Sequence, residues 1–106
     1  MLKQCSETTS IGLGGGIVRR MCLCAGKLMS VEFSFEKDAL LPMHNHPHEQ
    51  IGYIVRGVYE LTVGDETRTL KAGDTYYAPP GVMHGAKVIE AGKVIDVFCP
   101  PREDYL

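Results

Sequence analysis

The chain has 106 residues, of which 44% are hydrophobic and 23% charged, with a formal net charge of −2. That length supports one buried core and no second one, and the composition is that of an ordinary globular protein. The near-neutral balance excludes an electrostatic case for nucleic acid or an anionic membrane as partner.

Met1 to Thr8 lacks the apolar stretch of a secretory signal. No run approaches the ~20 apolar residues of a membrane span. The expectation is a cytoplasmic protein. Cys5, Cys22, Cys24 and Cys99 lack the spacing of a disulfide framework. Cys22-Leu23-Cys24 would place two thiols on one strand face, which allows a metal reading. Small thiols on strands serve more often as plain core residues.

Gly12 to Gly16 holds four glycines and reads as a flexible turn before the first firm strand. It lacks the lysine of a phosphate-binding loop. The N-terminal ~16 residues are expected to form an arm or an edge strand. Ile17 to Leu23 then reads as a strand. Leu28 to Phe35 alternates, with Met29, Val31, Phe33 and Phe35 on one face and Ser30, Glu32 and Ser34 on the other. Ala39 to Pro42 leads into a histidine-bearing strand. Tyr53–Arg56 and Val58–Val63 read as strands broken by Gly57. Thr67–Leu70, Thr75–Ala78, His84–Ile89 and Lys93–Phe98 complete the set. No segment carries a helical period. Short strands separated by turn signals at intervals of roughly 8 to 12 residues predict a sandwich or barrel in one all-β domain, residues 1–106.

Three of the four histidines, His44, His46 and His48, fall within five residues, and His84 lies 38 residues beyond His46. Positions two apart on a strand share a face with Cα atoms ~7 Å apart, so His44 and His46 should point the same way. Two imidazoles on one face are half of a metal site.

His44, His46 and Gly57 match the motif G-x5-H-x-H-x3-E-x6-G, with Asp38 at the opening glycine and Gln50 at the glutamate. Gly73, Pro79, Gly81 and His84 match G-x5-P-x-G-x2-H-x3-N, with Val88 at the asparagine. Fifteen residues separate Gly57 from Gly73. Together these stretches resemble the cupin signature and span most of the chain. The resemblance implies a small jelly-roll barrel (a double-stranded β-helix) with a metal near one mouth. Its ligands would be His44, His46, Gln50 and His84, holding one divalent transition metal among Zn, Ni, Fe, Mn and Co. Glu49 is an alternative to Gln50, but the register from His46 and Gly57 favours Gln50. His48 is expected at the rim. A ligand set without a carboxylate favours Lewis-acid work over the two-histidine, one-carboxylate chemistry of non-haem iron oxygenases.

Asp96 and Phe98 share one face of the final strand, opposite Val97. A carboxylate aimed inward beside a metal is a candidate general acid or base. Phe98 offers an apolar wall. Beyond Pro100-Pro101, Arg102 can fold back as a bidentate carboxylate clamp, the simpler alternative being a salt bridge from Arg102 to Asp96. His44-x-His46-Pro47-His48-Glu49-Gln50-Ile51-Gly52-Tyr53, followed by Asp96-Val97-Phe98-x-Pro100-Pro101-Arg102-Glu103-Asp104-Tyr105, is similar to the small cupins of pectin and alginate breakdown, the KdgF type. That resemblance implies catalytic roles for Asp96, Phe98 and Arg102 in opening 4,5-unsaturated monouronates, a sugar-acid substrate, to linear keto-acids. Two other classes fit the same motifs: a metal-dependent dioxygenase of a small substrate, and a noncatalytic sugar- or metabolite-binding cupin. Exposed strand edges in so small a barrel favour a homodimer.

Overall fold

The computed structural model describes residues 1–106. It has eight strands: β1 (Ser10–Gly14), β2 (Ile17–Ala25), β3 (Leu28–Phe35), β4 (Leu40–His44), β5 (Glu49–Val63), β6 (Glu66–Lys71), β7 (Thr75–Ala78) and β8 (His84–Cys99). Short 3₁₀ turns at Cys5–Glu7 and Glu103–Tyr105 are the only helical segments. No helix is long and apolar enough to cross a membrane.

All pairings are antiparallel, and two long strands organise them. β5 and β8 pair along almost their whole length, from Glu49 against Cys99 to Val63 against His84. The register slips on both sides of Gly57, and there the two strands bend together. Sterics explain the location. Gly57 has φ +95, and a Cβ there would lie 2.8 Å from the Cα of Gly92; a Cβ on Gly92 would strike the carbonyl of Arg56. Two glycines face each other at the bend because nothing larger fits. Each long strand thereby serves two sheets. One half of the pair continues the run β1-β2-β3 and accepts β7, and the other half is flanked by β4 and β6. This is the expected all-β jelly roll.

Strand boundaries depart from the pattern reading in instructive ways. The segments separated at Gly57 are one strand, as are those separated near Ala91, because a bulge bends a ladder without ending it. The glycine-rich start is not all turn. Ser10 to Gly14 pairs with Ile17 to Arg20 as an edge strand, and only Gly15 and Gly16 turn. A bulge between Met21 and Leu23 singles out Cys22, whose thiol points to the carbonyl of Arg20, while Cys24 packs against the core. All four cysteines are free. The two-thiol metal reading has no support in this geometry.

The core follows the alternation of β3. Met29, Val31, Phe33 and Phe35 are buried and join Ile54, Tyr59, Val88, Val94 and Phe98. Asp38, standing where the cupin motif has glycine, adopts φ +69, a left-handed conformation that aspartate tolerates better than most residues. Val88, at the motif's asparagine position, is fully buried and clasps the preceding loop through backbone hydrogen bonds to Asp38 and Ala39.

Candidate metal centre

The mouth of the barrel collects the histidines from three places. His44 ends β4 and pairs with His84, the first residue of β8. His46 lies just outside β4, in the connection to β5, so the two motif histidines do not share a strand as the spacing predicts. They converge nonetheless. The backbone carbonyl of His46 accepts from the amide of Gly81, and the Asn45 side chain donates to the carbonyl of Gly81, which ties the two motifs together. The Pro79-Pro80-Gly81 turn, with Gly81 at φ +76, is therefore what holds the His46 loop in place.

The ligand atoms of His44, His46 and His84 all lie within 4.8 Å of one another. Each Nδ1 faces the carbonyl of a residue two positions away: Pro42 for His44, His48 for His46 and Val82 for His84, at 2.8 to 2.9 Å. A carbonyl only accepts, so each Nδ1 carries the hydrogen and each Nε2 keeps its lone pair. The Nε2 of His84 is buried and has no hydrogen-bond partner. Burial also pushes the His46 and His84 imidazoles below their usual pKa, keeping them in the neutral form that a metal requires. An orphaned buried lone pair, neutral rings and fixed tautomers all fit a bound cation.

Gln50, on β5, is buried with its Oε1 3.0 Å from the Nε2 of His46. Its Nε2 donates to the hydroxyl of Tyr76 on β7 at 2.7 Å. That hydroxyl donates in turn to Oδ1 of Asp96 on β8. Burial raises the Asp96 carboxyl from its usual 3.8 to about 6, with the Tyr76 and Gln50 hydrogen bonds opposing the rise. Asp96, Phe98 and Arg102 line one cavity with His44, Gln50 and Tyr105.

The salt bridge considered between Arg102 and Asp96 does not form. Asp96 is held by Tyr76, and Arg102 forks onto Asp104, with Nε and Nη2 at 3.1 and 2.9 Å from its two oxygens. The guanidinium also lies over the rings of Phe98 and Tyr105. His48 is not in the ligand cluster. Its ring sits 5.4 Å from that of His46, and its carbonyl orients His46. Glu49 is exposed, on the opposite face of β5 from Gln50.

Two site residues escape the sequence reading. Tyr76 looks like a core aromatic in a short alternating strand, and Tyr105 like part of a polar tail. The available signal for Tyr76 was its hydroxyl: a buried tyrosine needs a partner. For Tyr105 it was the pair of tail prolines, which turn the chain back so that its ring meets Phe33 and Phe98 edge-on.

A cupin-domain family model matches residues 31–98. The chain belongs to the cupin family. This cupin is 41% identical to the pectin degradation protein KdgF of Dickeya dadantii over 102 residues, which cover 94% of this chain and 93% of that protein. Among solved structures it superposes on an RmlC-like cupin from Shewanella frigidimarina with a TM-score of 0.94 and 36% identity, covering 99% of this chain and 95% of that one. It superposes on KdgF from a Halomonas species with a TM-score of 0.93 and 36% identity, covering 100% and 98%. The Halomonas structure matches this cupin over its whole length, including the tail that carries Arg102.

Proposed function

We propose that this cupin opens 4,5-unsaturated monouronates, of the kind released in pectin and alginate breakdown, to linear keto-acids. The observation that carries the reading is the coincidence in one barrel mouth of a three-histidine cluster, a buried carboxyl near pKa 6 and an arginine over an apolar ring. The likeness to a pectin degradation protein supports a sugar-acid substrate.

His44, His46, His84 and Gln50 are the proposed ligands of one divalent transition metal. Such an ion polarises a substrate oxygen as a Lewis acid and needs no change of oxidation state to do so. In our reading Asp96 takes the proton of the anomeric hydroxyl as the bond between C1 and the ring oxygen breaks. C1 becomes a carbonyl, and the proton is returned to C4 of the resulting enolate, leaving a ketone at C5. Atoms balance without water or an oxidant. A carboxyl near pKa 6 suits both halves of that transfer at neutral pH. Arg102 exchanges the Asp104 carboxylate for that of the substrate, its fork being matched to either. Phe98 supports the sugar's apolar face and excludes water.

The test follows the loss of ultraviolet absorbance of an unsaturated galacturonate, with bound metal measured on the same sample. Turnover that tracks metal content without oxygen consumption supports ring opening. Tight uronate binding without turnover would assign the barrel to a binding role, and oxygen uptake would assign it to a dioxygenase.

We infer a cytoplasmic protein acting as a homodimer. Ile51, Tyr53 and Tyr77 are about half exposed on the outer sheet face, Ile51 paired across the strands with Tyr77. A second copy of the chain is the occupant proposed for that face. Sedimentation equilibrium giving a monomer at micromolar concentration would remove it.

A further inference from the structure

We infer that Tyr76 is a positioning residue: its hydroxyl decides which way round the Gln50 amide is held, and so makes Gln50 an oxygen donor to the histidine cluster. The inference rests on the metal reading above and adds a residue to it.

A glutamine amide is nearly the same shape after a half turn, so packing alone does not choose between presenting oxygen and presenting nitrogen. Hydrogen-bond polarity has to choose. The Tyr76 hydroxyl spends its one hydrogen on Oδ1 of Asp96. Towards Gln50 it then has only a lone pair to offer. Gln50 must meet it with Nε2, 2.7 Å away, and Oε1 is turned to the other side. There it lies 3.0 Å from the Nε2 of His46, whose hydrogen is already committed at Nδ1 to the carbonyl of His48. Two acceptors thus face each other in a buried place. Without Tyr76 the amide would keep only its direct hydrogen bond to Asp96, and turning over to donate to His46, the locally preferred hydrogen bond and the wrong ligand, would become easier. The chain Asp96–Tyr76–Gln50 holds the amide against that local preference. A shared cation is what satisfies both acceptors.

A second observation, independent of hydrogen-bond direction, supports the assignment. Gly52 is the cross-strand partner of both Tyr76 and Asp96. A Cβ at Gly52 would lie 2.0 Å from Cε1 of Tyr76 and 2.7 Å from Oδ1 of Asp96. Unlike Gly57 it has no left-handed φ to explain it. Glycine stands there because the tyrosine ring and the carboxylate meet in the space a side chain would fill. The strand gives up a packing position to make room for the relay.

The experiment is a cycle of four proteins: wild type, Tyr76→Phe, Gln50→Glu and the double variant. Each is titrated with Ni²⁺ or Zn²⁺ against a chelating dye, with circular dichroism and thermal midpoint recorded on the metal-free form. Tyr76→Phe in the wild-type background should weaken metal binding by about 10- to 100-fold, the range for loss of a partner that orients a ligand. In the Gln50→Glu background the same change should matter less than about threefold, because a carboxylate presents oxygen whichever way it turns. A tyrosine that merely packs the barrel would cost the same in both backgrounds, and that result would overturn the inference. So would undiminished affinity in Tyr76→Phe. Gly52→Ala, which crowds the ring, should reproduce the background dependence. Wild type that binds neither metal would sink the metal reading and this inference together, whereas equal losses in both backgrounds would sink only this one.

Discussion

The two ends of the barrel are built by the same strands and are about equally buried, yet they differ in chemistry. Along β5 and β8 the inward cross-strand pairs run Ile54 with Val94, Gly52 with Asp96 and Gln50 with Phe98. At the bend the interior is hydrocarbon: Phe35, Ile54, Tyr59, Val88 and Val94 close over one another. Within the next two pairs the same face carries a carboxyl and then an amide, joined at the mouth by His46 and His84, and these four are all less than one-tenth exposed. Burying a polar group costs free energy unless it is hydrogen-bonded. One end therefore contributes stability, and the other spends part of it to hold buried polar groups together. The site is a piece of core converted to polar use, and substitutions at the two ends should fail in different ways.

The largest effect is expected at the histidines. Replacing His44 and His46 together by alanine should abolish stoichiometric binding of a divalent ion, roughly one per chain in the wild type. Elemental analysis of protein prepared without chelators checks it, and full occupancy in the variant would remove both residues from the site. In the wild type, affinity should also fall once pH drops below about 6.5, because burial holds the His46 and His84 imidazoles below that usual value and protons compete for them only there.

Asp96→Asn sharpens the contrast most, because it should move activity and stability in opposite directions. Turnover is expected to drop on the order of 10²- to 10⁴-fold with metal retained, since the amide keeps an oxygen for Tyr76 but takes up no proton. The folded-state carboxyl titrates at about 6 against an ordinary 3.8, so folding is disfavoured as pH rises through that window. At neutral pH the buried charge costs on the order of 3 kcal/mol in the metal-free protein. Metal-free Asp96→Asn should accordingly melt several degrees higher than wild type near pH 7.5, and the advantage should shrink below about pH 4. A variant that melted lower at pH 7.5 would show that the carboxylate is better accommodated than its burial implies.

At the apolar end the reverse should hold. Ile54→Ala removes a fully buried side chain and is expected to cost about 2 to 5 kcal/mol of stability. Activity per folded molecule should stay within a few-fold of wild type, as read by chemical denaturation alongside the ultraviolet assay. The smallest effect is expected at the rim. Arg102→Ala should raise KM about tenfold while kcat and metal content hold, because a carboxylate clamp acts on ground and transition states alike. A fall confined to kcat would mean that Arg102 acts on the transition state instead.

Much of this architecture was legible in the residues. Strict alternation over Leu28 to Phe35 announced its buried face, and Asp96 and Phe98 were inward by the same period-2 logic, because a pleated strand offers side chains only two directions. The motif glycines marked bends, since their φ values or close approaches exclude other residues. Histidine spacing suggested a shared direction but misplaced its cause: His46 is brought round by the Gly81 turn, not by a common strand. What no local pattern contains is partnership across the barrel. That Asp96 answers to Tyr76 and not to Arg102, that Arg102 is occupied by Asp104, and that Gly52 is empty to admit a ring from β7 all depend on contacts between residues 20 or more apart, or on the path of a folded-back tail. A strand's own sequence determines which face its side chains take; only closure of the sheet determines what stands opposite them.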